Sequence, residues 1–219
     1  MTALLPSVEI SPDDATHSVI WLHGLGADGH DFEPIVDELT LSHEIRFIFP
    51  HAPSIPVSIN NGMVMPAWYD IRLPQIDQAQ DAEGIKKSQH SILTLIEREI
   101  ERGIKSENII LAGFSQGGAI ALHTALRYEK PLAGIMALST YLPLADTVEK
   151  EIHEHNKSTP ILIAHGTLDP VVPYQLAIDT QTTLNQLGFS TELKKYKMEH
   201  SVCPEEIDDI SNWINSCFN

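Results

Sequence analysis

Cysteine is scarce in this chain: Cys203 and Cys217 are the only two among 219 residues. Two thiols make neither a disulfide framework nor a tetrahedral zinc set, and they suit a reducing compartment; a single bridge between them is the one cross-link left open. Positive charge is scarce too. Fourteen Lys and Arg face thirty Asp and Glu, a formal net charge of −16 with His neutral. Such a chain repels polyphosphate, which disfavours nucleic-acid binding. The same field opposes anionic lipid while permitting a neutral or zwitterionic surface if an apolar patch is offered. Long apolar runs are missing: none nears the roughly 18 residues of a membrane span. The opening Met1-Thr2-Ala3-Leu4-Leu5-Pro6 lacks the basic and apolar regions of a secretion signal, so a cytoplasmic location is expected. There is no internal repeat and no linker rich in Gly, Ser or Pro. With 42% hydrophobic and 20% charged residues, the composition is that of an ordinary globular chain, and a single domain over residues 1–219 is expected.

What the chain does contain is an alternation. Short, nearly continuous apolar runs at 18–22, 45–49, 108–112, 134–138 and 160–164 read as core strands of a parallel sheet. Helical spacing lies between them: Phe32, Ile35, Val36 and Leu39; then Ile85, Gln89, Ile92, Ile96 and Ile100, stopping at Gly103. Further helices are expected over 116–128, over 173–187 with Gly188 as the cap, and over 204–217. Strands alternating with helices predict an α/β fold with a mostly parallel sheet. Residues 52–74 break the rhythm. They are punctuated by Pro and carry Asn61-Gly62, a hairpin-turn signal, so they read as an excursion from the sheet.

Gly113-Phe114-Ser115-Gln116-Gly117 follows one apolar run directly and opens a helical one. A serine on a tight strand-to-helix turn is pushed out at the helix N-terminus, and small neighbours let the turn close. The five-residue pattern arises by chance in about one chain in fifteen of this length, so the strand before it and the helix after it carry the argument. A serine hydroxyl needs a base, and the base needs a carboxylate to orient it, in the chain order Ser, Asp, His. Asp169, in His165-Gly166-Thr167-Leu168-Asp169-Pro170, sits just past a predicted strand end and is the candidate acid. Of eleven histidines, His200 lies between the last predicted strand, 191–197, and the last helix, where the base belongs. His123 and His165 read as core or supporting residues, and the remaining ones as loop or solvated positions. His23-Gly24-Leu25-Gly26 follows the first apolar run and supplies the turn of an oxyanion hole, with the backbone amides of Leu25 and Gln116 as donors. A phosphate loop is disfavoured there, since neither G-x-G-x-x-G nor G-K-[ST] is present. No cofactor and no metal is expected.

Five blocks in this order, His23 to Gly29, Pro66 to Asp70, Gly113 to Gly118, His165 to Pro173 and His200 to Pro204, resemble the small carboxylesterases that include acyl-protein thioesterases and lysophospholipases. The resemblance spans nearly the whole chain. It implies an α/β-hydrolase fold without a large cap domain, the triad Ser115, Asp169 and His200, and hydrolysis of medium acyl chains from oxygen or sulfur. Substrates would be small esters, lysolipids or S-acylated proteins. Family members often form dimers and carry apolar loops near the site; here Ile55, Val57, Ile59, Met63, Val64 and Met65 supply such a loop. Met63, Met65 and Trp68 are the candidate substrate-binding residues, and the 55–65 loop is a candidate for transient contact with neutral or zwitterionic membrane. The competing class is a catalytically silent hydrolase-fold protein that binds a lipid or a partner.

Overall fold

The structure is a computed structural model describing residues 4–218; Met1, Thr2 and Ala3 of the segment read above, and Asn219, lie outside them. The strands are β1 (Ser7–Ile10), β2 (His17–Leu22), β3 (Ile45–Pro50), β4 (Ser54–Val57), β5 (Met63–Pro66), β6 (Ile109–Phe114), β7 (Gly134–Leu138), β8 (Ile161–Gly166) and β9 (Thr191–Tyr196). The helices are α1 (Ala82–Glu101), α2 (Gln116–Arg127), α3 (Ala145–Glu151), α4 (Tyr174–Gln186) and α5 (Pro204–Cys217).

Seven strands form one sheet in the order β1-β3-β2-β6-β7-β8-β9. All neighbours run parallel except the edge strand β1, which pairs antiparallel with β3. Parallel strands are buried on both faces, which is why the sequence reads as unbroken apolar runs there rather than alternation. Residue parity then sorts the side chains. Ile20, Leu22, Leu111, Ile135 and Ile163 pack with residues of α1, α2 and α4, whereas Val19, Trp21, Ile110, Met136 and Leu162 pack with Ile210, Trp213 and Ile214 of α5. The result is a sheet between two helical layers.

Three features depart from the sequence reading. Of Phe32, Ile35, Val36 and Leu39, the middle two lie in a six-residue 3-10 helix, Glu33–Glu38, and the outer two cap it, in place of an α-helix; Pro34 sits in its first turn and the segment is too short to offset the nucleation cost of an α-helix. Strand β1, four residues of Ser-Val-Glu-Ile, was too short for its periodicity to register, and it takes its place by pairing Val8 with Phe49. Helix α3 buries only Val148, so its pattern carries little helical signal. The 52–74 excursion is a two-stranded hairpin, β4 against β5, closed by the pair Val57 and Met63. Its loop is five residues rather than two: a 3-10 turn, Ser58–Asn60, precedes Asn61 and Gly62, both in the left-handed region at φ 56° and 75°.

The order of strand addition reverses between β2 and β6: from β2 the sheet grows outward to β3 and β1, and from β6 it grows the other way. Crevices form beyond the carboxyl ends of strands at such a switch. The turns leaving β2, β6, β8 and β9 at that edge carry His23, Ser115, Asp169 and His200.

Candidate active site

Ser115 sits between β6 and α2 with φ 53° and ψ −121°, a conformation an L-residue rarely adopts. The surroundings hold it there. Its amide donates to the Leu138 carbonyl at 2.8 Å, and its carbonyl accepts the Thr140 hydroxyl at 2.6 Å. The motif's glycines are required by close approach: a Cβ at Gly113 would lie 2.4 Å from the backbone of Gly117, and one at Gly117 would lie 2.4 Å from the Leu22 carbonyl oxygen. Small residues therefore let the elbow close against β2. As the first residue of α2, Gln116 has an amide with no intrahelical acceptor, directed out of the helix start.

Asp169 lies on the loop after β8 and is buried. Its Oδ1 accepts from the amides of Val171 and Val172, both at 2.8 Å. Its Oδ2 meets His200 Nδ1 at 2.6 Å. Since the carboxylate only accepts, Nδ1 carries the proton, which leaves Nε2 of a neutral ring as the basic nitrogen. The two loops are fastened together by bonds that extend the β8–β9 pairing, Thr167 N to Tyr196 O at 2.8 Å and Leu168 N to Met198 O at 3.0 Å. His165, fully buried, places Nε2 2.8 Å from the Val172 carbonyl and 3.4 Å from Asp169 Oδ2, so it braces the acid's loop. Burial holds its pKa below the usual imidazole value. His123, also read as a core residue, is buried within α2 and pushed down to about 3 by that burial. The ring of Phe114 lies against His200, with centroids 4.7 Å apart.

Ser115 and His200 line one cleft of about 260 Å³ together with Gly24, Leu25, Phe114 and Val171. The Leu25 side of it is built by His23. That ring is buried, and burial lowers its pKa. Its Nε2 accepts from the Ala52 amide at 3.0 Å, so Nδ1 is the protonated nitrogen and donates to the Gly24 carbonyl at 2.7 Å. In a trans peptide the C=O and the following N–H point in opposite directions. Holding the Gly24 oxygen on the imidazole therefore turns the Leu25 N–H the other way. Gly26, at φ 79°, completes the turn, and its amide bonds to Pro66 at the end of β5.

The sequence reading missed two supports. One is the His23 ring. The other is the Gln116 side chain, whose Oε1 accepts from the Trp68 amide at 2.8 Å and whose Nε2 donates to the Tyr69 carbonyl at 2.7 Å. Both join loops distant in sequence, so the only local signal was a polar residue beside a functional glycine. Trp68, read as a substrate-binding candidate, is 2% exposed, its ring lies tilted against His23 with centroids 5.2 Å apart, and its Nε1 donates to the His23 carbonyl at 2.9 Å. It supports the turn and does not line the cleft. The two methionines divide. Met65 is half-buried, with Sδ 3.8 Å from where a Gly26 Cβ would stand, whereas Met63 is 64% exposed at the hairpin tip. Val57 is fully buried, and Ile59 and Val64 are exposed beside Met63. Among the described residues no three His, Cys, Asp or Glu side chains gather as a metal site, and no helix is long and apolar enough to cross a membrane.

A phospholipase/carboxylesterase family model matches residues 5–218. The chain belongs to that family. Among curated family relatives, "Acyl-protein thioesterase 1" of Cryptococcus neoformans is 40% identical over 235 residues, covering 98% of each chain. The protein of the same name from Neurospora crassa is 42% identical over 212 residues, covering 91% of this chain and 86% of its own. Among solved structures, Arabidopsis thaliana SOBER1 superposes with a TM-score of 0.88 at 33% identity, covering 93% of this chain and 99% of its own. Zea mays acyl-protein thioesterase 2 gives 0.87 at 28% identity, covering 98% and 99%. The sheet with its two helical layers is thus an α/β-hydrolase fold.

Proposed function

We propose that this protein is a serine hydrolase that cleaves carboxylic esters and thioesters of short-to-medium acyl chains through an acyl-serine intermediate. Ser115 is the nucleophile, His200 the base and Asp169 its orienting acid. His200 Nε2 takes the hydroxyl proton as Ser115 attacks the acyl carbonyl. The Leu25 and Gln116 amides receive the oxyanion, His200 returns the proton to the leaving alcohol or thiol, and water then releases the acid by the same route. The observation that most supports this is the 2.6 Å contact of His200 Nδ1 with Asp169, behind a cleft that Ser115 also lines. Relatives named as acyl-protein thioesterases support S-acylated proteins as substrates and argue against a silent binder.

Met65 forms the acyl-chain wall beside the oxyanion turn. The exposed tip, Ile59, Met63 and Val64, contacts neutral or zwitterionic lipid in the cytoplasm, with pairing of two copies through the same tip as the competing use. The test is turnover of p-nitrophenyl esters and S-acyl thiols of increasing chain length. Turnover should peak at short-to-medium length and fall about a thousandfold or more in His200→Ala. Folded protein with no turnover on any of them would favour the silent binder.

A further inference from the structure

The acyl half of the substrate has apolar surface to meet; the leaving group meets something else. Among the residues lining the cleft, Asp31 is the one acidic side chain. Among the described residues its carboxylate makes no hydrogen bond or salt bridge; it is exposed, and its electrostatic neighbour is the buried His23 ring, whose pKa burial lowers. The nearby charges do not neutralise it. His30 Nδ1 is held by Glu33 at 2.7 Å, and Asp28 accepts from the His30 amide. Asp169, across the cleft behind His200, is buried and committed to His200 and two amides.

The sequence deepens the asymmetry. Two of the stretches that line the cleft carry no cation: residues 1–45 contain no Lys or Arg, and neither do residues 158–193; on the His200 side Lys194 is paired with Glu192 and Asp209, and Lys195 and Lys197 precede the loop. Arg46, the first cation in the chain, is buried against Glu99. With a net charge of −16, the long-range field at the cleft has the same sign as Asp31 itself.

We propose that Asp31 is a specificity-determining residue selecting acyl groups whose leaving group carries positive charge beside the scissile bond, namely an S-acyl cysteine flanked by Lys or Arg in a peptide. This rests on the hydrolase reading above. An anionic leaving group such as a coenzyme A thioester is repelled. A zwitterionic headgroup has no net charge for the long-range field to draw in, whereas a basic peptide gains from both the field and the local carboxylate.

The test uses two S-octanoyl-cysteine peptides that differ only in flanking Lys or flanking Glu, with a neutral p-nitrophenyl ester alongside. At low salt, about 0.02 M, kcat/KM should favour the Lys peptide by about tenfold or more, shrinking at about 0.5 M, where the Debye length falls to a few ångströms. Asp31→Asn should narrow the low-salt preference about threefold. Glu101→Gln makes the same charge change at the far end of α1, beside the amino-terminal edge of the sheet, and should leave the preference in place. Equal rates on the two peptides, or equal narrowing by both variants, would overturn the Asp31 assignment while turnover of the neutral ester leaves the hydrolase reading standing. Absence of turnover on all three substrates would overturn both.

Discussion

Both ring nitrogens of His23 are occupied by backbone, one accepting from Ala52 and one donating to Gly24. In this account the ring aims an oxyanion donor, so His23→Ala should lower kcat by about ten- to a hundredfold with a smaller change in KM, the pattern of an interaction made mainly in the transition state. Leu25→Pro removes the donor itself. An oxyanion donor contributes about 3 to 4 kcal/mol, so turnover should fall a hundredfold or more; normal turnover of the folded variant contradicts the assignment. Asp169→Asn, read by the same assay, should cost roughly four orders of magnitude, because the amide favours the wrong imidazole tautomer. At this scale the sequence was legible wherever function lies in the identity of a reacting group. Ser115 stands in G-x-S-x-G between a strand and a helix, and Asp169 and His200 follow later strands in the required order. It was illegible for His23, the Gln116 side chain and Trp68, whose roles are to orient backbone. Those roles depend on which loops meet, and no spacing within one segment records that.

Among the elements, α5 follows the His200 loop and begins with Cys203 as its cap and Glu206 in its first turn. Glu206 is buried; burial, reinforced by the charge of Asp209 and opposed by the Cys203 amide, pushes its carboxyl up to about 8 from an ordinary 4.5. Below the lower value both folded and unfolded chains hold the proton. Between the two the unfolded chain has lost it and the folded chain keeps it, so stability present at acid pH is lost as pH rises toward 8. Urea unfolding across that window should show stability falling by up to about 1.4 kcal/mol per pH unit from this group, and Glu206→Gln should flatten the slope. Parallel slopes for the two proteins would contradict the placement of this carboxyl. The hairpin offers a second case. Met65→Ser should shift the preferred acyl length, whereas Met63→Ser at the exposed tip should not; identical chain-length profiles for Met65→Ser and the parent protein would remove Met65 from the wall. The major helices and core strands were readable because burial on two faces leaves an unbroken apolar run and burial on one leaves a 3.6-residue stripe. β1 and α3 escaped because four residues and one buried valine are too little pattern, and their positions come from what they pair or pack with.

For the whole molecule, charge and shape act together. A surface with net charge −16 should avoid anionic vesicles, while Ile59, Met63 and Val64 offer apolar contact to neutral ones. Cosedimentation should therefore favour phosphatidylcholine vesicles over phosphatidylserine vesicles, and Val64→Ser should weaken it; equal binding to both lipids would contradict this use of the tip. The same architecture brings four strand-end turns to one edge of the sheet, which gathers Ser115, His200 and Asp169, the proposed nucleophile, base and acid, from distant parts of the chain. That convergence is the central claim, and intact-mass analysis after treatment with a fluorophosphonate tests it most directly. The account predicts a single adduct on the folded protein, absent from Ser115→Ala and strongly slowed in His200→Ala. No adduct on the folded protein, or an adduct that survives Ser115→Ala, would contradict it.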